Sequence, residues 1–284
     1  MSAYALLVAP FADFAFMRRA LIAVVALALG AAPVGCLLVL RRMSLVGDAI
    51  AHALLPGAAV GYLIAGFSLA AMSLGGFVAA LIVALLAAAV TRATAQREDA
   101  SFAAFYLIAL AAGVLLISVR GSSVDLIRVL FGTILAVDDA ALLLIAGTAS
   151  VTLLALAWIY RPLVLECFDP QFVRATGGRT VSANAALLVL AVANMVAALQ
   201  ALGTLMAVGL MILPAVAARF WAAEVWSLGV AAAAIAAVAG TIGLLVSYHA
   251  QLPTGPAIVL AAGAIYLGSV LFGPRHGLWR ARRR

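Results

Sequence analysis

In the stretch RRMSLVGDAIAHALLPG, residues 41–57, Asp48 and His52 stand four positions apart. On a helix that spacing puts a carboxylate and an imidazole on one face, one turn apart. Together they offer an oxygen and a nitrogen donor of the kind that Zn2+, Mn2+ and Fe2+ all accept. One helix supplies only two such ligands, too few for a tetrahedral site. The same helix repeated across a two-fold axis would supply four. The plainer reading of the pair is a structural hydrogen bond among Asp48, His52 and a nearby backbone group. Pro56, one turn beyond His52, is placed to kink the helix and aim the pair, and Gly57 and Gly61 permit close packing beside it.

The elements that must position this pair are apolar throughout. The 284 residues are 68% hydrophobic and 10% charged, where roughly a quarter charged is usual in a soluble chain. Runs of about 20 apolar residues cross ~30 Å of hydrocarbon. The fold class is therefore an all-α polytopic membrane protein. Nine hydrophobic segments stand out, at 20–40, 44–66, 70–91, 102–119, 139–160, 181–200, 203–220, 225–248 and 255–273. The sixth and seventh are nearly fused around Gly203, so eight or nine transmembrane helices are expected. Residues 1–17 form an amphipathic N-terminal segment, 18–273 the transmembrane domain, and 274–284 a basic tail.

Depth sharpens the question that the pair raises. With Arg42 at an interface, a rise of 1.5 Å per residue puts His52 about 15 Å deep, near mid-membrane. A carboxylate at the bilayer centre costs at least ~2.5–3.5 kcal/mol, so Asp48 needs a partner or a polar path. Once the connections are set aside, Asp48 and His52 are the expected exceptions to an uncharged interior.

The formal charge of +7 comes from arginine alone, since all 17 basic residues are Arg. Without lysine the chain has no P-loop lysine for ATP and no Schiff-base nucleophile. ATP hydrolysis, if used, belongs to a separate chain. The arginines end apolar runs instead of forming a soluble basic face, which excludes nucleic acid as a partner. Cys36 and Cys167 lie far apart with no CxxC pattern and are expected as free thiols. PVGC at 33–36 is not a lipoprotein cleavage site, because Pro33 stands where such sites prefer an aliphatic residue. Nor is a cleaved signal expected, since Asp13 precedes Arg18 and Arg19 and the apolar run is too long.

Arginine also sets the expected orientation. With the tail RHGLWRARRR cytoplasmic, Arg41, Arg42, Arg92, Arg97, Arg161, Arg174, Arg179 and Arg219 fall inside with the five tail arginines. Arg18, Arg19, Arg120 and Arg128 fall outside, a split of 13 to 4. Residues 120–137 then form an external interfacial segment. Residues 166–179, ECFDPQFVRATGGR, lie inside. Asp169-Pro170 makes a helix start and Gly177-Gly178 a stop, which predicts a helix of about two turns fit for a connector or a docking element. His249 is expected at the external end of a span, as an interfacial residue or the lining of an access path. His276 carries no assigned role.

The chain resembles the membrane permease subunit of bacterial zinc/manganese/iron ABC importers. LVLRRMSLVGDAIAHALLPGAAVG is similar to that family's most characteristic segment. REDASFAAFYLIALAAGVLL, DLIRVLFGTILAV, FDPQFVRATGG, GTLMAVGLMILPAVAARF and LPTGPAIVLAAG resemble its later blocks in order. The resemblance implies a permease homodimer, two cytoplasmic ATPases and an extracytoplasmic metal-binding protein, set in lipid in the inner membrane with the C-terminus cytoplasmic. It implies no permanently bound cofactor, the divalent metal being cargo. It carries the metal role onto Asp48 and His52, and ATPase coupling onto Phe168, Asp169, Gln171, Arg174 and Gly177. One departure stands at the external corner, where the family often has an acid before PSGP and this chain has Gln251 and PTGP. The rivals are a permease for metal chelates and a proton-coupled secondary transporter using the pair as a proton relay. A bulky chelate has no need of the pair, and a secondary transporter would show inverted repeats and need no docking helix.

Overall fold

The computed structural model describes residues 3–66, 68–94, 96–120, 137–169, 172–173, 180–275 and 277–281. Among the described residues, two short helices, α1 (Ala3–Leu7) and α2 (Ala9–Asp13), precede nine longer apolar ones. These are α3 (Ala15–Leu40), α4 (Val46–Ala65), α5 (Leu69–Ala93), α6 (Glu98–Arg120), α7 (Asp139–Phe168), α8 (Thr180–Leu202), α9 (Thr204–Ala218), α10 (Val225–Ala250) and α11 (Thr254–Phe272). A last short helix, α12, covers Leu278–Ala281. No strand occurs among the described residues. Seven of the helices are long and apolar enough to cross a bilayer, and α8 and α9 contain the shorter apolar stretches 183–199 and 205–218. The chain is a multi-pass membrane protein.

Local chemistry explains where these helices begin and end. Asp138 caps α7, its Oδ1 accepting the Ala141 N–H at 2.7 Å. Gly66, at φ +62°, ends α4 in a conformation that suits glycine. Gly203, at φ +80° and ψ 167°, parts α8 from α9. The nearly fused sixth and seventh segments are thus two helices. α7 runs past the expected end at residue 160, through Pro162 to Phe168. That extension draws Glu166 into a helix, 5% exposed, so Asp48 is not the sole acid within an apolar helix. The segment at 120–137 lies outside the described residues, save Arg120 at the end of α6 and Val137 before α7.

Contacts between helix ends sort the molecule into two faces. Arg41 and Glu166 bring the ends of α3 and α7 together. The Phe220 carbonyl accepts the Arg275 N–H, joining the segments that follow α9 and α11. At the opposite face, His249 Nε2 lies 2.9 Å from the Leu6 carbonyl, Phe14 packs on Tyr248, and Arg19 pairs with Asp139 at 3.0 Å. Following the chain between these ties, Arg41, Arg42, Arg92, Arg97, Arg219 and Arg275 share one face. Arg18, Arg19 and Arg120 share the other.

α3 is the most buried of the seven long spans, 72% of its apolar window lying inside the protein. Small residues allow this. Gly35 abuts the Met211 carbonyl of α9 and Gly240 of α10 abuts Val24, so a Cβ at either would overlap its neighbour. Asn194 Nδ2 donates to Thr152 Oγ1 at 2.8 Å, an interhelical bond between α8 and α7 in the interior. The outer surface is apolar instead. Leu143, Leu154 and Trp158 of α7, and Leu107, Ile108 and Leu115 of α6, are exposed, as lipid contact requires.

Candidate metal site

α4 is buried on one side and open on the other. Ala49, Ile50, Ala53 and Leu54 face the protein core, and Gly47 sits against the Met211 and Met195 methyls. That other side carries Leu45, Asp48, His52, Pro56 and Val60 at successive steps of three or four residues; Leu45, Asp48 and Val60 are exposed, whereas His52 and Pro56 are partly buried. The expected pairing is present in the geometry: His52 Nε2 lies 3.7 Å from Asp48 Oδ1. That separation exceeds a hydrogen bond. Two ligands about 2.1 Å from one ion at a tetrahedral angle stand about 3.4 Å apart, so the gap is close to a chelating bite. The Asp48 side chain is 54% exposed and that of His52 35%. A carboxylate left this open on a membrane helix faces either a polar path or another protein surface.

Two neighbouring helices hold the pair in place. On α5, Gly75 and Ala71 present carbonyls where a Cβ on Gly57 or Gly61 would have to go, so those glycines serve close packing. On α6, Gly113 seats against Pro56, an added Cβ falling 2.7 Å from the proline's own. One turn nearer the arginine-rich face, the rings of His52 and Tyr106 stack with centroids 5.6 Å apart and planes 23° off parallel. Positions 52 and 56 of α4 thus meet 106 and 113 of α6 in the same order, which makes the two helices parallel neighbours. Pro56 has no N–H, so the carbonyl of His52, four residues back, receives no helical bond from it. α4 remains helical through Pro56.

Among the described residues, no group of three or more His, Cys, Asp or Glu side chains is placed to hold a metal ion. Within one chain, the candidate donors brought together here are Asp48 and His52. His249 sits on the opposite face of the molecule from Arg41, bonded to the Leu6 carbonyl, and Gln251 donates to the Tyr248 carbonyl in a left-handed turn at φ +53°. Neither joins Asp48 and His52. His276 lies outside the described residues.

The segment expected from the sequence to dock a partner is described in part. Phe168 is the last residue of α7, and Asp169 Oδ1 accepts the Phe172 N–H at 2.8 Å, the bond expected of an N-cap. Gln171, Arg174 and Gly177 lie outside the described residues. Sequence reasoning missed Tyr106, whose aromatic type is unremarkable in an apolar helix. It also missed the Arg41–Glu166 ion pair, since Arg41 served only as a topology marker. No local pattern links residues 125 positions apart.

Comparison with known proteins adds a family to this geometry. The profile of the ABC 3 transport family matches residues 13–273. The chain belongs to the ABC 3 transport family. It is 34% identical over 263 residues to the manganese import system permease protein ScaB of Streptococcus parasanguinis, covering 93% of this chain and 92% of that one. It is 29% identical over 269 residues to the chelated iron transport system membrane protein YfeD of Yersinia pestis, covering 95% and 89%. Its fold matches the structure of PsaBC from Streptococcus pneumoniae in complex with Fab, with a TM-score of 0.85 and 31% identity over 98% of this chain and 99% of that one. This ABC 3 chain is a transport subunit, not an enzyme.

Proposed function

We propose that the chain is the translocation subunit of an importer that moves a divalent transition-metal ion, Zn2+, Mn2+ or Fe2+, across the bacterial inner membrane by alternating access. One observation carries the reading: an imidazole and a carboxylate 3.7 Å apart on the open face of an apolar helix. The named cargoes of the relatives, manganese and chelated iron, support a metal as the substrate. The pair favours the ion itself, because a chelate already fills the metal's coordination positions. Family membership lends nothing to a proton-coupled mechanism.

Asp48 and His52 form the cargo site, with Pro56, Gly57 and Gly61 fixing the helix that bears them. A two-fold homodimer completes the ligand set, the second copy approaching α4 on the side where Asp48 is exposed. Two ATPases dock at the segment holding Phe168, Asp169, Gln171, Arg174 and Gly177, and an extracytoplasmic binding protein delivers the ion. The basic tail is cytoplasmic. Closure of the ATPases opens the inner side and releases metal from the ligands. Removing charge from Asp48 or the imidazole from His52 leaves too few donors to draw the ion from water.

Uptake of radiolabelled Mn2+ and Zn2+ into proteoliposomes holding the whole complex tests this. His52→Ala, Asp48→Ala and Asp48→Asn each abolish uptake while the permease still assembles with its ATPase. Wild-type uptake by His52→Ala and Asp48→Asn would sink the site and leave the pair as a structural contact.

A further inference from the structure

We infer that Tyr106 is the positioning residue for His52, setting the plane of the imidazole so that Nε2 faces the same ion as Asp48; this rests on the cargo-site reading above. The two rings lie with centroids 5.6 Å apart and planes 23° off parallel. An offset stack holds a ring by its face and leaves the edge nitrogens free. His52 needs such a restraint, because the second torsion of a histidine is broad and only roughly two-fold. Metal-ligating histidines are usually oriented by a hydrogen bond from the other ring nitrogen. Among the described residues the His52 ring makes no hydrogen bond, and its ion-pair contact is Asp48 at 3.7 Å.

Tyr106 is itself well anchored. Phe102, one turn earlier on α6, is 1% exposed, and Tyr106 packs against the core cluster. Gly113 seats on Pro56, which fixes the register of α6 along α4. The stack therefore sits on a rigid helix pair, with its support on one side of the imidazole and the carboxylate beyond its edge. This arrangement uses the ring of Tyr106 and not its hydroxyl, which separates positioning from ligation.

The test uses the purified complex of permease and ATPase, with bound Mn2+ read from loss of the aqueous Mn2+ electron paramagnetic resonance signal and Zn2+ read by competition. Tyr106→Phe, which keeps the ring, binds Mn2+ like wild type. Tyr106→Leu binds about two- to tenfold more weakly, the factor that an aromatic stack of ordinary strength supplies. Its loss is larger for Zn2+ than for Mn2+, because imidazole contributes more to binding Zn2+. Where Tyr106→Leu fails to assemble, Tyr106→Met makes the same comparison. Weak binding by Tyr106→Phe would assign the role to the hydroxyl and overturn the inference. So would wild-type binding by Tyr106→Leu, or equal loss for both ions, which marks general loosening of the helices. His52→Ala is measured alongside. If it too binds like wild type, the cargo site itself is wrong; if it loses binding while Tyr106→Leu does not, only the positioning role falls.

Discussion

The guanidinium of Arg41 and the carboxylate of Glu166 form an ion pair at 3.2 Å between Nη2 and Oε1, joining the end of α3 to the end of α7. Their side chains are 12% and 4% exposed. The pair links the connector leading into α4 with the helix that ends at Phe168, so the helix bearing Asp48 and His52 and the segment proposed for docking share one anchor. Burying two charges is costly, and removing one partner of such a pair costs up to about 3–5 kcal/mol, an upper bound here because Glu98 also lies within electrostatic reach of Arg41. Glu166→Ala should therefore lower the thermal stability of the detergent-solubilised protein strongly. Arg41→Leu combined with Glu166→Leu should recover much of that loss. Additive destabilisation in the double variant would show that the two groups act independently.

Packing between α4 and α5 leaves no room for a methyl group at Gly57, where the Gly75 carbonyl stands in the way. Gly57→Ala should separate the two helices and displace the metal pair, with a loss of a few kcal/mol, on the order of other overpacking changes. Gly263, in α11, has nothing within 4 Å of its built Cβ. Gly263→Ala should be neutral or stabilise by up to about 1 kcal/mol through helix propensity. Melting curves of the two variants check the contrast, and similar destabilisation by both would contradict the close approach at Gly57.

The segregation of arginine predicts an orientation. In a background with Cys36 and Cys167 replaced by alanine, a cysteine at Gln96, in the exposed connector near Arg97, should react with an impermeant thiol reagent only from the cytoplasmic side. A cysteine at Leu252, in the exposed connector near His249, should react from outside. The reverse pattern would overturn the proposed docking of ATPases at residues 168–177.

At the start of that segment, Asp169 caps the turn through the Phe172 N–H. Loss of an N-cap costs about 1 kcal/mol of helix stability. Asp169→Ala should weaken co-purification of the ATPase, whereas Asp169→Asn, which keeps an acceptor oxygen, should retain most of it. Equal loss in both variants would mean that the aspartate's charge contacts the partner directly.

Much of this protein was legible in one dimension because its strongest determinants are local. Hydrocarbon thickness demands apolar runs of a fixed length, so the apolar segments could be read before any contact was known, with eight or nine spans left open around Gly203 until its backbone parted α8 from α9. Helical geometry alone placed Asp48 and His52 on one face. Asp169 followed from cap chemistry confined to a few neighbouring residues. The tertiary structure decided what depends on residues distant in the chain. It continued α7 through Pro162 and carried Glu166 to Arg41, a pairing that forms when α3 and α7 pack. It left the Asp48 face of α4 open and laid Tyr106 against His52, since α6 runs parallel to α4 in a register set by Gly113 on Pro56. Composition and periodicity specify which residues enter the membrane and which share a helix face. Which faces then meet is settled by steric fit between helices, and no local pattern encodes that.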